Sequence, residues 1–215
     1  PPPGGSDEFE GFGAQTSGGV GKPIVFIDNL NDSGTGSLRA ALSAGDRTVQ
    51  FLVSGTIQLA SVLRVMGANV TIDGCTAPDF GITLTGNSLQ VRGVNGAHDV
   101  IIQCLRVRNT VGDGISVTEG TFNVVIDRVS VANTGDGAID ITGWNGLPTR
   151  DITVQRSILS QPKKNMLIKY VPIRRVSIHH NLFEGSIDRN PRMNYEDQVA
   201  PEITADVRNN LVANW

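Results

Sequence analysis

A short strand-like run recurs along most of this chain, and that repeat limits the possible folds more than any other feature. β-Branched runs begin at Val70 (VTID), Val100 (VIIQ), Val124 (VVID), Ile152 (ITVQ), Val176 (VSIH) and Ala205 (ADVR), at intervals of 30, 24, 28, 24 and 29 residues. The segments VIIQCLRVRN, VVIDRVSVAN, ITVQRSILSQ, VSIHHNLFEG and ADVRNNLVAN superpose without gaps and bring Ser157, Asn181 and Asn210 into one column. A second series lies between these runs: Gly114-Ile115-Ser116-Val117, Ala138-Ile139-Asp140-Ile141 and Met166-Leu167-Ile168. Two or three short strands per period, punctuated by Gly and Asn, describe one coil of a right-handed, single-stranded parallel β-helix. A leucine-rich repeat would need a recurrent LxxLxL frame, which is absent, and a propeller blade needs four strands, for which ~25 residues is too few. The Ser/Asn column reads as a ladder of side-chain hydrogen bonds at a turn.

Each coil of a solenoid exposes an apolar face to the next, so its ends need covers. Ser37-Leu38-Arg39-Ala40-Ala41-Leu42 carries the one clear helical pattern, with Ser37 at the N-cap and Leu38, Ala41 and Leu42 on one face. It is expected to cap the first coil. At the other end the sequence stops at Leu211-Val212-Ala213-Asn214-Trp215 in the middle of a coil pattern, so further chain or self-association is expected to cover that coil. Residues 1–10, beginning Pro1-Pro2-Pro3-Gly4-Gly5, have no apolar face and read as a flexible linker before a β-helical domain over 11–215.

Composition removes several functional classes. The 215 residues carry a formal charge of −3 with interspersed signs, which offers no basic field to a nucleic acid. No apolar run approaches the length of ~18 residues that a membrane span needs. Twenty-five glycines against a 5% aromatic content point to many tight turns around an aliphatic core. Cys75 and Cys104 are too few for a disulfide scaffold. Although neighbouring coils bring them within possible reach of each other, they are expected to be buried free thiols.

Carboxylates gather where coils stack. Asp113 lies in VGDGIS, and Asp136 and Asp140 lie in TGDGAID, with 23 residues, close to one coil, between Asp113 and Asp136. Coils stacked ~4.8 Å apart would bring these anions together, and hard oxygen donors so placed call for a cation such as Ca²⁺. Lys164, in PKKNMLI, and Arg189 with Arg192, in DRNPRM, follow one and two coils later. Acids and cations side by side suit a polyanion whose own carboxylates are shared between metal and basic groups. His179-His180 reads as one packed and one surface ring.

In this order, GFGAQTSGGVGKPI, NLNDSGTGSLRAAL, VSGTIQL, VTIDGCTAPDFGITL, DGISV, NVVIDRVSV, DGAIDIT, KNMLI, RVSIHHNLF, DRNPRM and ADVRNNLVANW resemble the successive landmarks of the pectate lyases of polysaccharide lyase family 1. The resemblance runs from about Gly11 to Trp215. It implies calcium-dependent β-elimination on polygalacturonate (pectin), by a secreted enzyme. By match, Asp113, Asp136 and Asp140 would hold the metal, Lys164 would hold substrate and Arg189 would be the base. An arginine is an unusual base because it is normally always charged; neighbouring positive charge would ease its deprotonation, and an alkaline optimum would follow.

Two positions depart from the pattern. Arg128 stands where the family has the His of WIDH, and Asn194 stands where a second substrate-binding Arg is usual, with Arg192 the candidate to replace it. Two other readings share the fold: a non-catalytic β-helical carbohydrate-binding protein, and a pectin lyase acting on methyl-esterified chains without metal. The latter generally carries a cation in place of the metal-binding acids, and all three are intact here.

Overall fold

In a computed structural model of the chain, residues 9–144, 146–161, 163–170, 172–194 and 203–215 are described. Among these residues the strands form three parallel sheets, of eight, seven and six strands, that wind into a β-solenoid of about seven turns. The runs seen in the sequence become Val70–Asp73, Val100–Gln103, Phe122–Asp127, Thr149–Gln155, Ile173–His179 and Ile203–Arg208, successive neighbours in the eight-stranded sheet. The second series becomes Ile115–Thr118, Ile139–Thr142 and Met166–Lys169, successive neighbours in the six-stranded sheet, followed by Arg192–Asn194.

In-register stacking is what the repeat encodes. Ile72, Ile102, Ile126, Val154 and Ile178 pair in one column and are wholly buried. Val70, Val100, Val124, Ile152 and Val176 form a second such column. A one-residue slip would turn both columns out of the core, so the register is strongly fixed. Burying each such side chain is worth ~1.5–3 kcal/mol. The unequal coil lengths are absorbed by the turns.

The Ser/Asn ladder forms at the bend leaving the eight-stranded sheet. Asn181 Oδ1 accepts from the Ser157 amide (2.9 Å) and Asn210 Oδ1 from the Asn181 amide (3.0 Å), while Ser157 Oγ accepts from the Val129 amide (3.1 Å). Just before it, Cys104, Arg128, Arg156, His180 and Asn209 all have φ between 49° and 57°. This left-handed column turns each coil and directs that side chain away from the core, which leaves its chemical type free. Arg128 is therefore tolerated: it pairs with the buried Asp127, which Arg156 and Gln155 also hold.

The capping helix spans Leu38–Ala41; Ser37 Oγ accepts from the Ala40 amide, and Leu38, Ala41 and Leu42 are buried. The cysteines overturn the expectation of free thiols. Asp73 and Gln103 are register partners, and the bends after them bring Cys75 and Cys104 to a Cα separation of 5.0 Å, where they form a disulfide.

Residues 1–8 of the expected linker lie outside the described residues. From Phe9 onward the segment instead lies across the outer face of the eight-stranded sheet. Phe9 packs with Ile101 and Val125, and the amides of Glu10, Phe12, Gly13 and Gly19 donate to Gln155, Ser177, Thr153 and Thr71. The glycines permit this closeness: a Cβ on Gly19 would stand 2.1 Å from the Arg47 carbonyl oxygen, and one on Gly13 would stand 2.5 Å from that of Val124. Gly19→Ala should therefore destabilise the protein by ~1–3 kcal/mol. Differential scanning calorimetry should show a lower melting temperature; an unchanged one would mean that the arm contributes no stability.

Candidate active site

The acidic cluster forms where turns from the seven-stranded sheet enter the six-stranded sheet. In Ile139–Thr142 the core takes Ile139 and Ile141, so alternation sends Asp140 outward. It remains only 6% exposed, between its register partners Ser116 and Leu167. Its Oδ1 accepts from the Leu167 amide at 3.2 Å. Gly137 is obligatory beside it, because a Cβ there would stand 2.2 Å from Asp140 Oδ1. One coil earlier, Asp113 accepts from the Gly137 amide (3.0 Å) and from the Ser116 hydroxyl (3.1 Å).

The cations arrive from the following coils. Lys164 is ion-paired with the exposed carboxylate of Asp136, and forms a parallel bridge to Asp188 on the next coil. Arg189 has a left-handed backbone (φ 64°) and sits largely buried with Nη1 3.9 Å from Asp136 and 4.0 Å from Asp140. Its Nε is buried without a hydrogen-bond acceptor. Arg192 is half-exposed and faces Asp188 at 3.5 Å. Asp113, Asp136, Asp140, Lys164 and Arg189 thus converge, while Arg192 stands at the margin.

The electrostatics of this cluster are strained. Burial pushes Asp140 up to about 8; negative charge on Asp113 and Asp136 adds to the shift, and Arg189 and the Leu167 amide oppose it. Burial also raises Asp113, again helped by Asp136, against the Gly137 amide, Ser116 and Arg189. No three acidic, imidazole or thiol groups among the described residues are gathered tightly enough to form a ready-made metal cage. The acids are nonetheless hard oxygen donors one coil apart, and the ionisation penalty they impose on one another is relieved by added positive charge. That donor set fits a calcium-like cation in kind, provided Lys164 yields Asp136.

Sequence reasoning missed the support beneath the cluster. The fully buried Asn165 donates to Asn190 Oδ1 at 2.7 Å, and its carbonyl accepts from the amides of Ala138 (2.8 Å) and Ile139 (3.1 Å), which ties the acidic turn to the arginine turn. Its place at the head of the apolar Met166-Leu167-Ile168 strand is the available signal. His179 and His180 lie elsewhere: their Nδ1 atoms are 2.9 Å apart on the arm-covered sheet, and His179 Nε2 is 3.3 Å from the Glu10 carbonyl. His179 is buried, which lowers its proton affinity, and His180 is exposed. Asn194 pairs in register with Lys169, whose neighbour Tyr170 lies against Trp144.

No protein-family model matches the chain. A probable pectate lyase C of Emericella nidulans is 38% identical over 213 residues, covering 96% of this chain and 47% of that protein. A probable pectate lyase C of Aspergillus fumigatus is 37% identical with the same coverage. The chain thus spans about half the length of the curated relatives it matches. Among solved structures, a variant pectate lyase from Xanthomonas campestris has a TM-score of 0.62 at 20% identity, over 95% of this chain and 67% of that one. The cedar pollen allergen jun a 1 has a TM-score of 0.60 at 21% identity, over 97% and 70%. Both share the β-helical fold.

Proposed function

We propose that this β-helix, homologous over almost its whole length to proteins named pectate lyase, is the catalytic body of such an enzyme. It cleaves α-1,4-linked polygalacturonate by calcium-dependent β-elimination and leaves 4,5-unsaturated ends. The observation that carries this reading is Arg189: a guanidinium that is largely buried and within 4.0 Å of three carboxylates, with Asp188 4.0 Å from its Nε, which no acceptor reaches at hydrogen-bond distance. A structural arginine buried to this degree normally has its donors satisfied.

Asp113, Asp136 and Asp140 would hold Ca²⁺, which when bound supplies positive charge against the uronate carboxylate and so acidifies the proton on C5. Lys164, freed from Asp136, binds a substrate carboxylate. Arg189 in its neutral form takes the C5 proton. The C5–H electron pair becomes the C4=C5 double bond as the C4–O4 bond breaks, and the leaving oxygen takes a proton from water. Arg192 grips a neighbouring uronate in exchange for Asp188. The disulfide between Cys75 and Cys104 suits an oxidising compartment, and so supports secretion.

The test is the ultraviolet absorbance of the unsaturated product. Product should form on polygalacturonate with calcium, fall by at least ~100-fold in excess chelator, and return when calcium is restored. Turnover that ignores the chelator and prefers methyl-esterified pectin would assign a pectin lyase instead. Polymer binding without product would assign a non-catalytic carbohydrate-binding protein.

A further inference from the structure

The two strands that enter the acidic cluster run on beyond it. Ile139–Thr142 follows Asp136 and leads through Thr142 and Gly143 to Trp144; Met166–Lys169 follows Lys164 and leads to Lys169 and Tyr170. With Ile139, Ile141, Met166 and Ile168 wholly buried, Asp140, Thr142, Leu167 and Lys169 lie on the outer face. Register sets Ser116, Asp140, Leu167 and Arg192 abreast in one row, and Thr118, Thr142, Lys169 and Asn194 in the next.

The second row ends in an aromatic corner. Trp144 and Tyr170 meet edge to face with centroids 5.0 Å apart and planes at 87°, and Lys169 Nζ is 4.5 Å from the Tyr170 ring centre. Trp144 is 48% exposed although its backbone is well anchored. The Gly143 amide donates to the Lys169 carbonyl (3.0 Å), the Leu147 amide to the Trp144 carbonyl (3.3 Å) and the Thr149 hydroxyl to the Thr142 carbonyl (2.9 Å). A large ring on an anchored backbone, braced edge-on by Tyr170 and half in water, offers an apolar surface, and an ammonium stands beside it.

We propose that Trp144, Tyr170 and Lys169 form an outlying subsite that takes a uronate unit of the polymer away from the bond that breaks. The C–H face of that sugar covers the Trp144 ring, and its carboxylate meets the Lys169 ammonium. This deepens the lyase reading and rests on it. The occupant is fixed by three features together: an aromatic face for a pyranose, a cation for its acid, and continuity along two strands with the cluster that would act on the same polymer. These side chains bind and position substrate, and take no part in the proton transfer.

Chain length separates this role from a structural one. On long polygalacturonate, Trp144→Ala and Lys169→Met should each raise KM by roughly tenfold and leave kcat within about twofold. On digalacturonate, whose two units only flank the bond that breaks, neither variant should change kcat/KM. Lys169→Arg should restore the polymer KM, and on highly methyl-esterified polymer the effect of Lys169→Met should shrink while that of Trp144→Ala persists. Equal losses on dimer and polymer, or an unchanged polymer KM in both variants, would overturn the subsite while wild-type turnover kept the lyase reading intact. Were the wild type to make no unsaturated product, that reading would fail on its own. Calorimetry with hexagalacturonate would then decide the subsite, with weaker binding by Trp144→Ala supporting it and unchanged binding overturning it.

Discussion

Arg189→Ala is expected to lower kcat on polygalacturonate by about three orders of magnitude and to change KM far less. General-base groups contribute ~10²–10⁴-fold, and a base acts in the transition state rather than in ground-state binding. Arg192→Ala should show the opposite split, a raised KM with kcat nearly kept, because Arg192 stands at the margin beside Asp188. The competing role for Arg189 is a buried counter-ion for Asp136, Asp140 and Asp188, all within about 4.0 Å. Arg189→Lys tells the two roles apart: a lysine replaces a counter-ion and restores stability, yet does not place a guanidinium nitrogen at the sugar. Turnover is to be measured from neutral to strongly alkaline pH at saturating calcium. An Arg189→Ala enzyme that keeps most of its turnover would return the search for the base to Lys164.

The largest stability loss is expected at Asn181. Its amide group donates to the Val154 carbonyl at 2.9 Å and to Asn210 Oδ1 at 3.1 Å, and its Oδ1 accepts from the Ser157 amide. Asn181 is 2% exposed, so Asn181→Ala leaves the Ser157 amide and the Val154 carbonyl buried without these partners. Each such group costs ~1–3 kcal/mol, which gives about 3 kcal/mol in all and a fall in melting temperature of roughly 6–12 °C. Asn210→Ala costs less, because Asn210 is half-buried in the last coil. Urea unfolding reads both; a loss below ~1 kcal/mol for Asn181→Ala would show that water replaces the ladder.

The sequence revealed what repeats and missed what does not. Val70, Val100, Val124, Ile152 and Val176 each begin a β-branched run because each fills the same place in a stacked core, and Ser157, Asn181 and Asn210 align because one bend recurs. The arm from Phe9 to Gly19 left no such signal. It adheres mainly through backbone amides to Ser and Thr hydroxyls and through missing Cβ atoms, neither of which has a hydrophobic period. The alignment shows that Cys75 and Cys104 can approach but not that they bond, because Cys104 lies in the left-handed bend, whose geometry a linear alignment does not convey. Within the site, spacing by coils was enough to gather Asp113, Asp136, Asp140, Lys164 and Arg189. The pairing of Lys164 with Asp136 depends on side-chain reach across a turn, and Asn165 holds the acidic turn through its backbone carbonyl, which residue type does not reveal.

The arm also imposes an order in time. Each coil can close on its predecessor as soon as some 24 to 30 further residues exist, so the solenoid can grow in step with synthesis. The arm cannot. Gly13 meets Thr153 across 140 residues and Phe12 meets Ser177 across 165, so this segment is made long before the coils it seats on. Until then the outer face of the eight-stranded sheet, with Ile101 and Val125, stays uncovered on a nascent chain, and docking of the arm marks the completion of coils made long after it.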